Sequence, residues 1–339
     1  MAKIRDLALF DVPQIKKLMS FVNADVSSFF DGLIVPFPLN IPFKALPMRF
    51  KFLPESYVLT DKDKILACIS LKNFHRNYKK WEITKLLMSE NPYETGLLLL
   101  QYVITKFAAK GIHTFLATID DTQTELINLF TNGAGFRQCS RQQLWKYTQS
   151  ETPKSNLIGL SVRPYKNSDA SKLAELFNDL ILPHFRPSLS RSKKEFYEPH
   201  IQILSHSSEF RYIIEDKERK QIVSYVVLKT LDNKNFTMDF IISKAYEYLF
   251  SEVLNYVLNQ AKKRTKDLNF YVINRCYMQT SSFVEEVLKE RQYENINSST
   301  VLVKDLFRTI KNENALQQAV FYTNVNSNPA FDSISYDVF

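Results

Sequence analysis

Apolar and polar positions along this chain keep two rhythms, one helical and one alternating, and both come round twice. From Ile4, "IRDLALFDVPQIKKLMSF" sets a β-branched residue and an arginine ahead of an apolar series at helical spacing; from Val162, "VRPYKNSDASKLAELFND" does the same. In each, an aspartate (Asp11 or Asp169) follows the β-branched residue by seven places and stands where a helix N-cap belongs, with a short strand before it. "YVLTDKDKILACISL" from Tyr57 and "YIIEDKERKQIVSYVVL" from Tyr212 both read as strand, polar turn, strand. "LQYVITKFAAKG" from Leu100 is echoed by "LNYVLNQAKKRT" from Leu254. The three pairs keep one order at offsets of 158, 155 and 154 residues, which predicts two copies of one fold.

Each copy reads as strand, helix, a variable segment, three strands, a long helix, strand, helix, strand. In the first copy the last strands are His113 to Asp120 and Phe136 to Thr148, around a helix from about Thr122. In the second they are Leu268 to Cys276 and Ser299 to Leu306, around "SSFVEEVLKERQ". Three central strands suit an antiparallel meander, whereas strand, long helix, strand requires a parallel crossover. The expected fold class is α/β (α+β), each copy a mixed, mostly antiparallel sheet flanked by helices. Expected domains are 1–148 and 159–306, joined by a polar linker over 149–158 and followed by a weakly ordered, Asn- and Ser-rich tail over 307–339.

This order of elements resembles the GCN5-related N-acetyltransferase (GNAT) fold, repeated in tandem. The resemblance is carried by Arg5 and Arg163 in the two openings, by "WEITKLLMSENPYETGLLLL" from Trp81, and by "GAGFR" ending at Arg137. It spans about residues 3–148 and, more faintly, 160–306. It implies an acyl-CoA-dependent N-acyltransferase that passes an acyl group, acetyl from acetyl-CoA in the simplest case, to a small-molecule or peptide amine. The coenzyme is then gripped where the fourth strand meets the long helix: Leu87 and Met88 on the strand, then Tyr93, Glu94, Thr95, Gly96, Leu97 and Leu98 at the helix entry. A helix N-terminus, with N–H groups unclaimed by the helix itself, suits a diphosphate on physical grounds alone. Of the family's loop pattern only Gly96 is matched; Tyr93 replaces its basic or amide residue, and Glu94 adds a negative charge. In the second copy the 154 offset puts Phe250 opposite Gly96, and no glycine occurs between Ser161 and Phe339. Close backbone approach to phosphate favours glycine, so the coenzyme is expected in the first copy.

The same resemblance makes Glu82, six residues before Met88, the general base that takes the proton from the attacking amine. The other reading of Glu82 is a solvent-facing carboxylate in an edge hairpin beside Lys79 and Lys80. In the second copy Phe236 falls opposite Glu82, and Asp239, three residues on, is expected on the other face of its strand. The tyrosine acid common in the family has no counterpart, since Thr131 stands four residues before Gly135 and Leu288 is its nearest equivalent in the second copy. These departures leave open a non-catalytic relative that binds a partner or senses a small molecule.

Composition adds limits. Hydrophobic residues make up 45%, with 26 Phe and 17 Tyr, enough for two cores. A net charge of +8, dispersed among carboxylates, suits anionic ligands such as coenzymes and suits simple solubility as well. The 3 cysteines and 5 histidines lack disulfide or metal-ligand spacing, so no metal is expected. Each histidine reads as a surface or loop residue and Cys139 as a small core residue. No apolar run reaches the roughly 18–20 residues of a membrane helix and no signal peptide is evident, which points to a cytoplasmic protein without a membrane partner. "HRNYKK" from His75 mixes basic and aromatic residues as nucleic-acid binders do, yet it also reads as a solvated turn between strands, and a nucleic-acid partner is the lesser expectation. Phe29 to Glu55, with five prolines and six phenylalanines, is either an aromatic acceptor wall or a wrap over the sheet. Acceptor, acyl length and oligomeric state are not legible.

Overall fold

The repeated openings fold alike because the same ion pair pins each of them. β1 (Lys3–Asp6) passes through a 3-10 turn, Leu9–Asp11, into α1 (Val12–Phe21), and Arg5 donates two bonds to the Asp11 carboxylate, at 2.6 and 2.7 Å. Arg163 does the same to Asp169, at 2.7 and 2.8 Å. Both aspartates immediately precede an α-helix, and the Asp169 carboxylate makes no cap hydrogen bond to its helix. Each aspartate accepts from the backbone N–H three residues earlier, Ala8 or Lys166, at 2.8 and 2.9 Å.

In the computed structural model the described residues are 2–21, 54–62, 64–75, 77–89, 92–149, 155, 157–197, 208–265 and 267–306. The tail, most of the linker and nearly all of Phe29 to Glu55 lie outside them. β2 (Glu55–Asp61), β3 (Lys64–Phe74) and β4 (Asn77–Met88) form an antiparallel meander. α2 (Pro92–Ala108) crosses over, and β5 (Thr114–Asp120) returns parallel to β4. α3 (Thr124–Asn128) runs into a π-turn, Leu129–Gly133, before β6 (Arg137–Tyr147). The second copy repeats the order with β7 (Leu160–Pro164), α4 (Ala170–Leu180), the short α5 (Arg186–Leu189), β8 (Ser208–Asp216), β9 (Ile222–Thr230) and β10 (Asn235–Ile242). It ends with α6 (Phe250–Lys262), β11 (Asn269–Arg275), α7 (Ser281–Glu290) and β12 (Tyr293–Asp305).

All of these strands join one 12-stranded sheet in the order β1-β2-β3-β4-β5-β12-β6-β11-β10-β9-β8-β7. The final strands are exchanged: β12, from the second copy, lies between β5 and β6 of the first, and β6 pairs with β11 of the second. The sheet therefore crosses the boundary expected near residue 148, and Met1–Asp305 form one compact unit. β12 also starts at Tyr293, earlier than its apolar part suggests. Its polar first half makes ladder pairs with β6, with Tyr293 opposite Tyr147 and a bulge between Asn295 and Asn297 that corrects the register, and Asn297 and Ser298 bond to Asp120 and Asp121 at the end of β5.

Alternate strand positions pack on helices to either side. Trp81 lies 4.5 Å from Phe107 of α2, centroid to centroid, and Leu87 packs with Ile15 and Leu18 of α1 on the opposite face. Among the described residues no helix is long and apolar enough to cross a membrane.

Candidate functional site

In the first copy β4 and β5 share ladder pairs only from Lys80 to Ile83; beyond Ile83 and Ala117 they part, with the start of α2 beside the opening. The residues expected to grip a coenzyme are gathered there but differ in exposure. Thr95, Leu87 and Met88 are buried, whereas Tyr93, Glu94 and Leu98 face solvent. Gly96 is needed for packing. A Cβ at this position would sit 2.5 Å from Met88 Sδ and 2.8 Å from Leu129 Cδ2, so the bare backbone lets α2 close onto β4 and the π-turn. Tyr93 leans over Gly133 in the same way, its hydroxyl 3.1 Å from where a Cβ would stand. Thr131, in the π-turn, donates to Ile127 O at 3.0 Å.

Glu82 sits in a central strand, not an edge hairpin, with its side chain 13% exposed and 3.6 Å from Lys72 Nζ. It shares a sheet face with Lys80, which turns inward to donate to Ser188 O and Ser190 O at 2.8 and 2.7 Å. Lys80 is thus a buried tie to the second copy, not part of a solvated basic turn. Glu82 is directed away from Trp81 and α2.

In the second copy the corresponding opening is closed. Phe250 is fully buried at the start of α6, 4.8 Å from Phe240. A bridge between Ile181 and Met278 lies beyond the end of β11, and the pocket between the ends of β10 and β11, lined by Ile242, Ile273 and Met278, holds only about 10 Å³, at most one water. The last parallel pairs, Ile83 with Ala117 and Met238 with Val272, set Thr237 opposite Glu82, and Phe236 takes the place of Trp81. The expected face of Asp239 is overturned for a related reason. β4 carries a bulge, since Leu71 pairs with Ile83 and Ser70 with Lys85, whereas β10 pairs with β9 in unbroken register. The extra residue, Thr84, cancels the parity change and leaves Asp239 on the face that Glu82 occupies.

No protein-family model and no curated protein matches the sequence. Solved structures do match the fold. A GCN5-related N-acetyltransferase from Sphaerobacter thermophilus superposes with a TM-score of 0.58 at 12% identity, over 91% of this chain and 97% of that one. A tandem GNAT protein from the clavulanic acid biosynthesis pathway superposes at 0.53 and 10% identity, over 91% and 100%. The chain has the tandem GNAT fold.

Within this GNAT pair the second copy holds a feature the sequence reading missed. A cavity of about 190 Å³ opens on the α4 side of the sheet. Its floor carries Glu209 and Arg211 of β8, Lys229 of β9, Asp239 of β10 and Arg275 of β11. Its roof carries Phe177 of α4 and the segment from Arg191 to Tyr197, and one wall is His75, from the β3–β4 turn of the first copy. His75 does lie in a turn, as expected, but its Nε2 accepts from Arg191 Nη2 at 2.5 Å instead of meeting solvent. Burial, reinforced by the Arg191 charge, pushes the imidazole well below its ordinary pKa and keeps it neutral. Burial also opposes ionisation of Asp239, yet Arg275 outweighs it and holds the carboxyl at about 2. Asp239 is therefore a fixed charge and no proton acceptor near neutral pH. The missed signal was charge at inward parity: Glu209, Arg211, Lys229 and Asp239 all point into one face of otherwise apolar strands. Cys139 is buried as expected, and burial pushes its thiol up. Among the described residues no group of three or more His, Cys, Asp or Glu could hold a metal ion.

Proposed function

We propose that this protein is an acyl-CoA-dependent N-acyltransferase whose first copy takes acetyl-CoA and whose second copy supports it. The observation that carries this reading is the parting of β4 from β5 beyond Ile83, beside a helix start, in a GNAT fold. The backbone of Leu87 and Met88 would line the pantetheine arm. At the helix entry from Tyr93 to Leu98, the N–H groups of Tyr93 and Glu94, which the first turn of α2 leaves without an intrahelical partner, would face the diphosphate. The fit is better at the strand opening than at Gly96, whose open side is already taken by Met88 and Leu129. Bound coenzyme supplies the acyl group; the protein's own part is to hold the amine and remove its proton. Glu82 is the group for that second task, on the sheet face opposite α2, with Lys72 at 3.6 Å to steady its charge.

The amine acceptor is a small molecule or peptide. An assay of free thiol released from acetyl-CoA against a panel of amines tests the reading directly. Release that depends on an amine, and that falls on the order of 100-fold or more in Glu82→Gln, supports it. Undiminished release in that variant removes Glu82 from the mechanism. The packing around Gly96 and Gly133 favours a second reading, a non-catalytic GNAT fold that binds a ligand without turnover. Absence of release with every amine, in a protein that still binds acetyl-CoA, selects it.

A further inference from the structure

The cavity of the second copy contains charges that the protein itself leaves unsatisfied. Asp239 is paired with Arg275 through both oxygens, one bond at 2.5 Å. Glu209 lies 2.7 Å from Arg211 and 3.5 Å from Lys229. Arg191 and Glu195 remain. Arg191 is 9% exposed, and no carboxylate among the described residues comes within ion-pair distance of it, although Asp239 and Glu195 favour its charge from further off. Its guanidinium rests on the Phe177 ring at 4.3 Å and the Phe74 ring at 5.6 Å, with His75 as its hydrogen-bond acceptor, and its buried Nε has none. The Oε1 atom of Glu195 accepts from Ser192 N at 2.9 Å and Asn77 Nδ2 at 3.1 Å, whereas its buried Oε2 has no partner.

A buried cation that no carboxylate contacts directly, with Asp239 and Glu195 acting on it only from further off, and a buried carboxylate oxygen without a donor are both costly, and both line one cavity. Desolvation opposes the Arg191 charge, and the aromatic faces beneath it offset only part of that cost. The groups that would complete the site are a carboxylate for Arg191 and a cationic donor for Glu195. A volume of about 190 Å³ is below the roughly 300–1,000 Å³ of pockets for drug-sized ligands, which restricts the occupant to a small metabolite.

We infer that the cavity between α4 and strands β8 to β11 is a binding site for a free α-amino acid, its carboxylate on Arg191 and its ammonium on Glu195. The ligand side chain then lies toward Tyr225 and Phe240 on the cavity wall. His75 makes the site depend on both copies, because the residue that orients Arg191 comes from the first. The inference does not rest on coenzyme binding, since none of these residues belongs to the opening between β4 and β5.

The test uses the full chain in thermal-shift measurements with each of the proteinogenic amino acids, followed by calorimetry on those that respond. The expected result is saturable binding of at least one amino acid, weakened roughly tenfold or more in its amide and in its N-acetyl derivative, each of which removes one charge. Arg191→Met should lose that binding while the protein stays folded, because the substitution removes a buried unpaired charge and keeps the bulk. Should that variant fail to fold, Glu195→Gln provides the second measure and should weaken binding by a similar factor. No response to any amino acid overturns the inference. So does binding that survives Arg191→Met or Glu195→Gln, or that is indifferent to loss of the ligand carboxylate.

Discussion

Gly96 shows how one missing side chain can serve packing where a ligand contact is anticipated. Replacing it with alanine adds helix propensity worth about 1 kcal/mol, but it forces a methyl into space held by Met88 and Leu129, at a typical overpacking cost of about 1–3 kcal/mol. Denaturant titration should show Gly96→Ala to be less stable by roughly 1 kcal/mol, with the loss shrinking in a Met88→Ala background, where the nearer obstacle is gone. A loss that ignores Met88 would place the constraint elsewhere. At Glu82 the expectation concerns rate and not fold. Glu82→Gln should change acetyl-CoA affinity by no more than about twofold while turnover falls by the factor general-base removal implies, read from separate binding and rate measurements.

At the level of single elements, the two openings offer a matched pair of measurements. The bonds from Arg163 hold Asp169 below its ordinary pKa, and at Asp11 the Arg5 and Ala8 bonds outweigh burial to the same end. A depressed folded-state pKa gives stability that is complete above the unfolded value, near 3.9, and is lost as the pH falls toward the folded value. Arg163→Ala should therefore lower stability at neutral pH, by on the order of 1–2 kcal/mol given that the guanidinium is partly exposed, and should flatten the fall in stability below about pH 4. An acid limb as steep as that of the parent would contradict the linkage. These openings, the meanders and the crossovers were legible because each is set by local periodicity and by turn residues. The polar start of β12 was not, because its pairing partner is remote in sequence and strand formation there follows from an edge needing a neighbour. The bulge at Thr84 was equally hidden, and with it the face of Asp239, since a single inserted residue leaves no mark on an apolar run. The charged cavity was illegible as a site: Arg191 and Glu195 share one loop of the second copy whereas His75 comes from the β3–β4 turn of the first, and only the folded sheet brings them together.

The exchange of β12 and β6 ties the two copies into one sheet, and this governs how the whole molecule should unfold and what it can do. Neither half completes its part of the sheet with its own strands: cut near residue 150, the first would expose the facing edges of β5 and β6, which β12 normally fills. Residues 1–150 expressed alone should aggregate or remain unfolded, whereas co-expression with 151–339 should restore a soluble complex; calorimetry of the intact chain should give one cooperative transition. Two well-separated transitions would mean that the copies are thermodynamically independent. The division of labour between them is the central functional claim, with coenzyme at the parting of β4 and β5 and none where Phe250 and the Ile181–Met278 bridge close the second copy. The most direct test is a calorimetric titration of the full chain with acetyl-CoA, repeated on Glu94→Gln, which removes an exposed negative charge from the first turn of α2. One molecule bound per chain, held several-fold more tightly by the variant because the helix start no longer repels the diphosphate, is the result expected. No heat at millimolar coenzyme, or binding that Glu94→Gln leaves unchanged, would contradict the assignment of that opening to the coenzyme.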